Sequence, residues 1–559
     1  MRELGIPRLL AIVLSQRGIV DPEQAQKFLN PTLDDLHPPH LLPDFEPAKR
    51  EILAARDAGQ TIYVHGDYDV DGVTSATIFT KFLQKIGCKV IPHVPHRMKE
   101  GYGIHIDAVR WAKERGAHLF LTCDCGISAH DQLDAVHEAG MRAVVTDHHE
   151  LKETLPNAVA VVNPHRGDSD YPFAMLSGAG VALKVCAGIV PEVDRQWEPD
   201  KAIKSFYGNY MDLAAMGTIA DIMPLVDENR IIAKFGLPVI QSAKRKGMQA
   251  LLEVAERMNL DRPLAAHDVG FQLAPRVNAV GRIGDAADAL QMMLTSDLDE
   301  ARTIARQLDK LNRERRAEQE KMVEEAMAMI EESGVPERGV LLVARQGWHP
   351  GIIGLVASKL VERFHRPAFV VALGEDGKGK GSARSISGYH LAEALNSTHG
   401  LHLGGGGHEL AAGFSVDGMT IDDLRSALTQ RAIDTMSLEE FEPKLMIDAQ
   451  IEPCDVDDAA VEALRQLEPF GAANPQPMFS AKGVKFQSLR TGSNPDHAFP
   501  TLDCDDQAVP SVSWTLGPFF RELEVGTELE VAFRPEFNEF RGRKTLQWKL
   551  EDAKPYLGI

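Results

Sequence analysis

From Thr61 to Pro164 the chain alternates short β-branched runs with amphipathic stretches, and this alternation narrows the folds open to it more than any other feature. The apolar runs are TIYV, CKVIPHV, AHLFLTC, RAVVT and AVAVV, separated by the helical stretches SATIFTKFLQKIG, HIDAVRWAKERG and HDQLDAVHEAG. Strand–helix–strand alternation predicts a parallel sheet, because parallel neighbours need a crossover and the crossover helices cover both faces. In such sheets the functional crevice lies beyond the carboxyl ends of the strands.

A chain of 559 residues is too long for one core, which predicts about three or four domains. We divide it into an N-terminal segment 1–50 packing on the core, a parallel-sheet domain 51–230, a helical linker 231–333, a second α/β domain 334–440 and a small β-barrel 441–559. Within the linker, DLDEARTIARQLDKLNRERRAEQEKMVEEAMAMIEESG carries Ile304, Leu308, Leu311, Met322, Val323, Met327 and Ile330 near helical spacing, which predicts one long helix joining two domains. The second module begins at GVLLVARQGWHPGIIGLVASKLVERFHRPAFVVAL, and the runs KLMIDAQIE, TELEVAFRPEF and KTLQWKLEDA mark the barrel.

Hydrophobic residues make up 44% and charged ones 25%, and no apolar run approaches the roughly 20 residues that span a bilayer. No membrane partner is expected, and with no visible targeting signal the expected location is the cytoplasm. Six cysteines suit a reducing compartment. The one-residue spacing of Cys123 and Cys125 is wrong for a structural zinc site. The net charge of −21 opposes adhesion to polyanions over the whole surface, so a nucleic-acid substrate requires a concentrated Lys/Arg stripe or bridging metal.

The strand ends collect carboxylates and imidazoles. TIYV exits into His65, Asp67, Asp69 and Asp71; LFLT exits into Cys123 and Asp124; AVVT exits into Asp147, His148 and His149. Asp221 follows the apolar stretch LAAMGTIA. Gathering so many carboxylates is costly unless cations compensate or several acids stay protonated. Mixed oxygen and imidazole ligands suit Mn²⁺, with Mg²⁺ a substitute. Two ions sharing a bridging carboxylate, about 3.5 to 4 Å apart, are a recurrent device for hydrolysing phosphate esters.

With HGDYDVDG, TCDCGIS, TDHHE and GTIADIMPL in their usual order, the chain resembles the DHH phosphoesterase superfamily, and within it the RecJ family of single-strand-specific 5′→3′ exonucleases. LAPRVNAVGRIGDAADAL, GWHPGIIGLVASKL, GSARSISGYHLAEAL, GGGGHELAAGF and EPFGAANPQPMF are similar to that family's later blocks. Ala473 departs from the glycine expected in the last of these. The resemblance implies two divalent ions, Mn²⁺ preferred and Mg²⁺ possible. One would be held by His65, Asp69 and Asp124 and the other by Asp71, Asp124, His148 and Asp221, with Asp124 bridging. It further implies that Asp67 acts beside the metals or near the nucleophile, that His149 contacts the scissile phosphate, and that Asp147 orients an imidazole.

Glycines ahead of LVASKLVERF and in GGGGHE, including Gly405 and Gly406 before His408, offer backbone N–H groups to anions. By resemblance Ser382 and Arg384, with Arg97 from the first domain, recognise the 5′ end. Arg276, Asn278 and Arg282 lie in APRVNAVGRIG, which is too broken by glycine and proline for a plain amphipathic helix and suits tracking of the strand's backbone. Arg313, Arg315 and Arg316 read equally as a solvated helix face or a phosphate rail. The barrel looks like the family's OB-fold, which binds single strands by stacking and a basic groove; RPEFNEFRGRKTLQWK interleaves Phe537, Phe540 and Trp548 with Arg541, Arg543, Lys544 and Lys549. The function so implied is metal-dependent release of mononucleotides from the 5′ end of single-stranded DNA in repair and recombination. The expected form is a monomer, supplied with strand by a helicase and a single-strand-binding protein. The alternatives are a relative acting on short oligonucleotides or cyclic dinucleotides, against which the barrel speaks, and a noncatalytic replication scaffold, against which the intact ligand set speaks.

Overall fold

A computed structural model describes residues 5–97, 100–101, 103–151, 154–193, 198–504, 507–540 and 543–556. The first five strands are β1 (Thr61–His65), β2 (Lys89–His93), β3 (Ala117–Cys123), β4 (Arg142–Thr146) and β5 (Ala160–Val162). They form one all-parallel sheet in the order β2-β1-β3-β4-β5. The chain therefore winds outward in opposite directions from β1 and β3, and the crevice opens between the carboxyl ends of those two strands. β3 and β4 are buried almost throughout because helices cover both faces. The helix Val70–Lys85 starts inside the aspartate motif, ahead of the amphipathic stretch that predicted it, because Asp69 caps it. The helices Gly178–Val193 and Pro199–Ala220 pack against Val70–Lys85 in the same apolar cluster.

The linker holds the expected long helix, Leu298–Ser333. APRVNAVGRIG departs from expectation. It forms the regular helix Ala274–Ile283, preceded by a π-helical turn Val269–Leu273. Pro275 sits in its first turn, where a missing N–H leaves no bond unmade.

The second sheet comprises β6 (Leu341–Gln346), β7 (Ala368–Leu373), β8 (Lys378–Arg384), β9 (Gly404–Gly407) and β10 (Ala411–Asp417), in the order β6-β7-β8-β10-β9. Only β6 and β7 run parallel; the remaining pairings are antiparallel. The third sheet comprises β11 (Ala449–Gln450), β12 (Phe479–Thr491), β13 (Ala498–Cys504), β14 (Gln507–Val512), β15 (Glu528–Phe540) and β16 (Arg543–Pro555). Pairing of β12 with β15 closes its five long strands into a barrel, which leaves those strands no free edge.

The N-terminal segment is shared between cores. Leu9, Leu10, Val13, Leu14, Ala25 and Leu29 join the barrel's cluster, whereas Leu42, Phe45 and Ala48 join that of the first sheet. Buried Arg230 ties the two regions together, donating to the carbonyls of Phe28, Gln466 and Leu467. Among the described residues no helix is long and apolar enough to cross a membrane.

Candidate metal centre and nucleic-acid interface

The aspartate motif leaves β1 as a tight turn that becomes a helix. Asp69 accepts from the backbone N–H groups of Asp71 and Gly72 at 3.0 and 3.1 Å, so one of its oxygens caps the helix. Asp71 follows in the first turn, where it accepts from the N–H groups of Gly178 and Ala179 at 2.6 and 2.9 Å. Those N–H groups open the helix Gly178–Val193, whose positive end favours a carboxylate. Asp124, immediately after β3, has a φ of 62°, a left-handed conformation that aspartate tolerates better than most residues.

These ends converge. Nε2 of His148 lies 3.0 Å from Asp124 Oδ1 and 3.7 Å from Oδ2 of both Asp71 and Asp221. Three triads each offer one ligand atom per residue within 4.8 Å of the others: Asp67 with Asp69 and Asp124; Asp71 with His148 and Asp221; Asp124 with His148 and His149. His65 stands at the same strand end, with Nε2 3.2 Å from the Gly103 carbonyl. Its Nδ1 is buried without a hydrogen-bond partner, and so is Asp124 Oδ1, whose 3.0 Å contact with His148 Nε2 lacks hydrogen-bond geometry. Lone pairs of that kind are costly unless something accepts them. The donor set of carboxylates and imidazoles, with two orphaned atoms, therefore fits a divalent cation of the Mn²⁺ or Mg²⁺ type.

Electrostatics point the same way. Burial, followed by the charge of Asp69, pushes Asp67 up to about 8 and Asp71 up to about 7. Burial and the charges of Asp71 and Asp69 push Asp221 up to about 8, and Asp124 is driven well above the usual carboxylate range for the same reasons. Burial and the neighbouring His149 hold His148 down at about 4, and burial holds His65 at about 3, which keeps both imidazoles neutral as metal ligation requires.

His149 behaves oppositely. Burial opposes its charge, yet the Asp147 hydrogen bond and carboxylate, at 2.7 Å from Nδ1, bring it up to about 9. Asp147 is itself buried, which raises it, but His149 and the Ile127 N–H outweigh that and hold it below its ordinary value. Asp147 thus keeps one imidazole charged at the rim of a site whose other imidazoles are neutral.

Glycines set the ligands' positions. A Cβ on Gly178 would lie 2.5 Å from the Asp124 Cβ, and one on Gly217 would lie 2.4 Å from Asp71 Oδ1. Sequence reasoning missed both, although the SGAG at the start of a helix was a readable signal.

A second cluster faces this centre. Arg97 stacks over the Tyr68 ring at 5.0 Å. Burial pushes Arg282 down to about 10, with Arg97, Arg315 and Arg384 adding to the effect, so four guanidiniums share one region. Arg384 lies 3.5 Å from Ser382 Oγ, and both approach the start of the helix Ile353–Phe364, since a Cβ on Gly354 would meet Ser382 Oγ at 2.9 Å and Arg384 Nη2 at 3.4 Å.

Other candidates have structural partners. Arg276 is paired with Asp309 at 2.9 Å. Asn278 accepts from the Val70 N–H at 3.1 Å, fastening the helix Ala274–Ile283 to the aspartate motif, and Arg282 donates to the Gly351 carbonyl at 3.0 Å. Arg315 is bound to Asn312 and Gln319, Arg313 lies 3.2 Å from Asp309, and exposed Arg316 reaches the Phe271 carbonyl. Gly405, Gly406 and His408 are exposed at and beside the edge strand β9.

Trp548 corrects the expectation of a stacking surface there. It is 1% exposed and stacked on Phe533 at 3.7 Å, because its position on β16 faces the barrel's interior. Phe537 is partly buried under Lys544, and the side chains of Phe540, Arg541 and Arg543 lie outside the described residues. The barrel instead exposes Trp514, which is 47% accessible and packed edge-on against His497 and Phe499, with Arg490 over the Phe499 ring.

Comparison with known proteins matches residues 61–218 to the DHH family N-terminal domain, 338–434 to the DHHA1 domain and 447–552 to the RecJ OB domain. The single-stranded-DNA-specific exonuclease RecJ of Bacillus subtilis is 37% identical over 557 residues, covering 99% of this chain and 68% of that protein. Crystal structures of Thermus thermophilus RecJ with Mn²⁺ and with Mg²⁺ superpose with TM-scores of 0.83 and 0.78 at 29% and 28% identity, each covering all of this chain and 78% and 76% of theirs. With the metal-type donor cluster, the closed barrel and a relative of this similarity along nearly the whole chain, the protein belongs to the RecJ family of exonucleases.

Proposed function

We propose that the protein hydrolyses single-stranded DNA from the 5′ end to mononucleotides with two divalent ions, Mn²⁺ preferred. The observation that carries this reading is the convergence of Asp69, Asp71, Asp124, His148 and Asp221 at the β1/β3 crevice, with Asp67 among them, His65 at the end of β1, and two buried atoms, His65 Nδ1 and Asp124 Oδ1, left without hydrogen bonds. His65, Asp69 and Asp124 would hold one ion, and Asp71, Asp124, His148 and Asp221 the other. Bound there, the ions supply Lewis acidity toward the phosphate and lower the pKa of water.

The chain's own residues do the rest. His149, kept charged by Asp147, faces the phosphate oxygens and stabilises the charge that develops on them. Arg384, Ser382 and Arg97 hold the terminal phosphate, and this anchor sets the polarity. Asn278 and Gly281 lock the linker helix against Tyr68 and Val70, which keeps the motif in place as the strand passes. Trp514 and Arg490 receive the strand beyond the cleft. On this reading the protein acts as a cytoplasmic monomer in repair and recombination, on strands exposed by a helicase and covered by single-strand-binding protein.

The test is a time course on long single strands labelled at either end. A 5′ label should leave first as a mononucleotide while 3′-labelled strands shorten progressively; the reverse order overturns the polarity. Asp124→Asn should abolish hydrolysis and leave strand binding largely intact, and full activity in that variant overturns the site.

A further inference from the structure

Alternation along β8 places Lys378, Lys380, Ser382 and Arg384 on one face of the second sheet. The helix Ile353–Phe364 covers part of that face and reaches Ser382 and Arg384 at its start. Beyond them the face is open: a cleft of about 1060 Å³ lies between the sheet and the helix Leu298–Ser333, bordered by Lys378, Lys380, Ser415, Trp348 and Ile352. Both lysines are exposed, and among the described residues neither has a carboxylate within ion-pair distance. Lys380 Nζ lies 3.5 Å from Ser415 Oγ. Three acids share the cleft's lining without pairing with either lysine: Glu314 and Glu318 stand on the helix wall, and Asp376 accepts from the Lys378 N–H in the turn before β8.

Two residues of antiparallel strand advance about 7 Å, so each lysine lies one such step further from the residues assigned above to the terminal phosphate. Nothing in the proposed hydrolysis of a 5′-monophosphate strand uses them. We propose that Lys378 and Lys380, with Ser415, form a further phosphate subsite on the 5′ side of the Ser382–Arg384 anchor, and that it receives phosphate groups lying beyond the terminal one. This rests on the assignment of Ser382 and Arg384 to the terminal phosphate. The added phosphate can come from a 5′-triphosphate end or from an additional nucleotide placed upstream of the anchor. With a triphosphate end, one water cleaves the first linkage. Its oxygen joins the phosphorus that stays on the shortened strand, the 3′ oxygen of the released unit takes up a proton, and the first product is a nucleoside triphosphate. With an upstream nucleotide, the first product is a dinucleotide.

The test compares the full-length protein with Lys378→Ala/Lys380→Ala and Lys378→Arg/Lys380→Arg on otherwise identical strands ending in 5′-triphosphate or 5′-monophosphate, with products resolved by mass. Loss of the lysines is expected to lower kcat/KM for triphosphate ends about tenfold or more, to spare monophosphate ends, and to be restored by arginine. A fall in the share of dinucleotide released from monophosphate strands instead identifies the upstream nucleotide as the source. Where wild type cuts both strands, equal behaviour of wild type and the alanine variant on both counts overturns the subsite. Calorimetric binding of inorganic tripolyphosphate supplies a readout independent of catalysis: binding weakened about tenfold or more in the alanine variant supports the subsite even if neither strand is cut, a result that would sink the nuclease reading alone. Absence of binding to wild type overturns the subsite.

Discussion

The backbone N–H of Gly178 donates to Oδ2 of Asp71 across 2.6 Å, joining the first turn of one helix to the first turn of another. The contact is possible because residue 178 has no side chain: its missing Cβ would lie 2.5 Å from the Asp124 Cβ and 2.7 Å from Asp124 Oδ1. One glycine thus sets the distance between two of the proposed ligands.

Gly178→Ala should move Asp124 and Asp71 apart by a fraction of an ångström. Manganese affinity is expected to fall about tenfold or more, and hydrolysis of a 5′-phosphorylated strand about a hundredfold. Titration calorimetry and a single-strand hydrolysis assay check this, and wild-type values in both would contradict the cradle.

Metal-free protein should lose stability as pH rises. Asp67, Asp71 and Asp221 titrate at about 8, 7 and 8 in the folded chain, against about 4 when unfolded. Folded carboxyls held above their unfolded value contribute stability that is fully present below about pH 4 and lost as pH climbs through 7 to 8. A Tm series in chelator should fall across that window, and Mn²⁺ should raise the curve most at its alkaline end. Identical slopes with and without metal would remove the cations from the cluster.

The His149 imidazolium should set an alkaline limb in kcat near its pKa of about 9, activity holding below that value and declining above it. Asp147→Asn removes the carboxylate that sustains the charge and should shift the limb to lower pH, with kcat affected more than KM. His149→Gln should abolish the limb. A profile unmoved by Asp147→Asn would deny Asp147 its positioning role.

The two barrel tryptophans should separate by readout. Trp548→Ala empties a core position against Phe533 and is expected to cost ~3–5 kcal/mol of barrel stability. Trp514→Ala should leave Tm nearly unchanged and weaken binding of long single strands by about 1–3 kcal/mol, sparing short ones. Thermal melts with binding titrations at two strand lengths decide it; equal affinity of wild type and Trp514→Ala for long strands removes that surface from the strand's path.

Much of the fold was legible because its cause is local. The β-branched runs ending at His65, Cys123 and Thr146 and the amphipathic stretches between them specify a parallel sheet by periodicity alone, and the polar residues just past each run must then lie at one edge. The long helix was equally readable. Periodicity carries no information on approach distances, so beyond the SGAG ahead of one helix nothing local marks Gly178 and Gly217 as spacers beside ligands. The Ala274–Ile283 segment is helical against its local pattern: Gly281 and Pro275 count against a helix in isolation, whereas packing against Tyr68 and the Asn278 bond to Val70 outweigh that propensity.

The sequence by itself determined which residues leave the strands as acids and imidazoles, since chain order and side-chain alternation follow from covalent connectivity. Only the tertiary structure decided which of them meet, which imidazole is charged and which tryptophan faces solvent. Those outcomes depend on distances of a few ångströms set by packing: Asp147 beside His149 makes one imidazole cationic, while burial and the charge of His149 keep His148 neutral, and barrel closure turns Trp548 inward and leaves Trp514 outside.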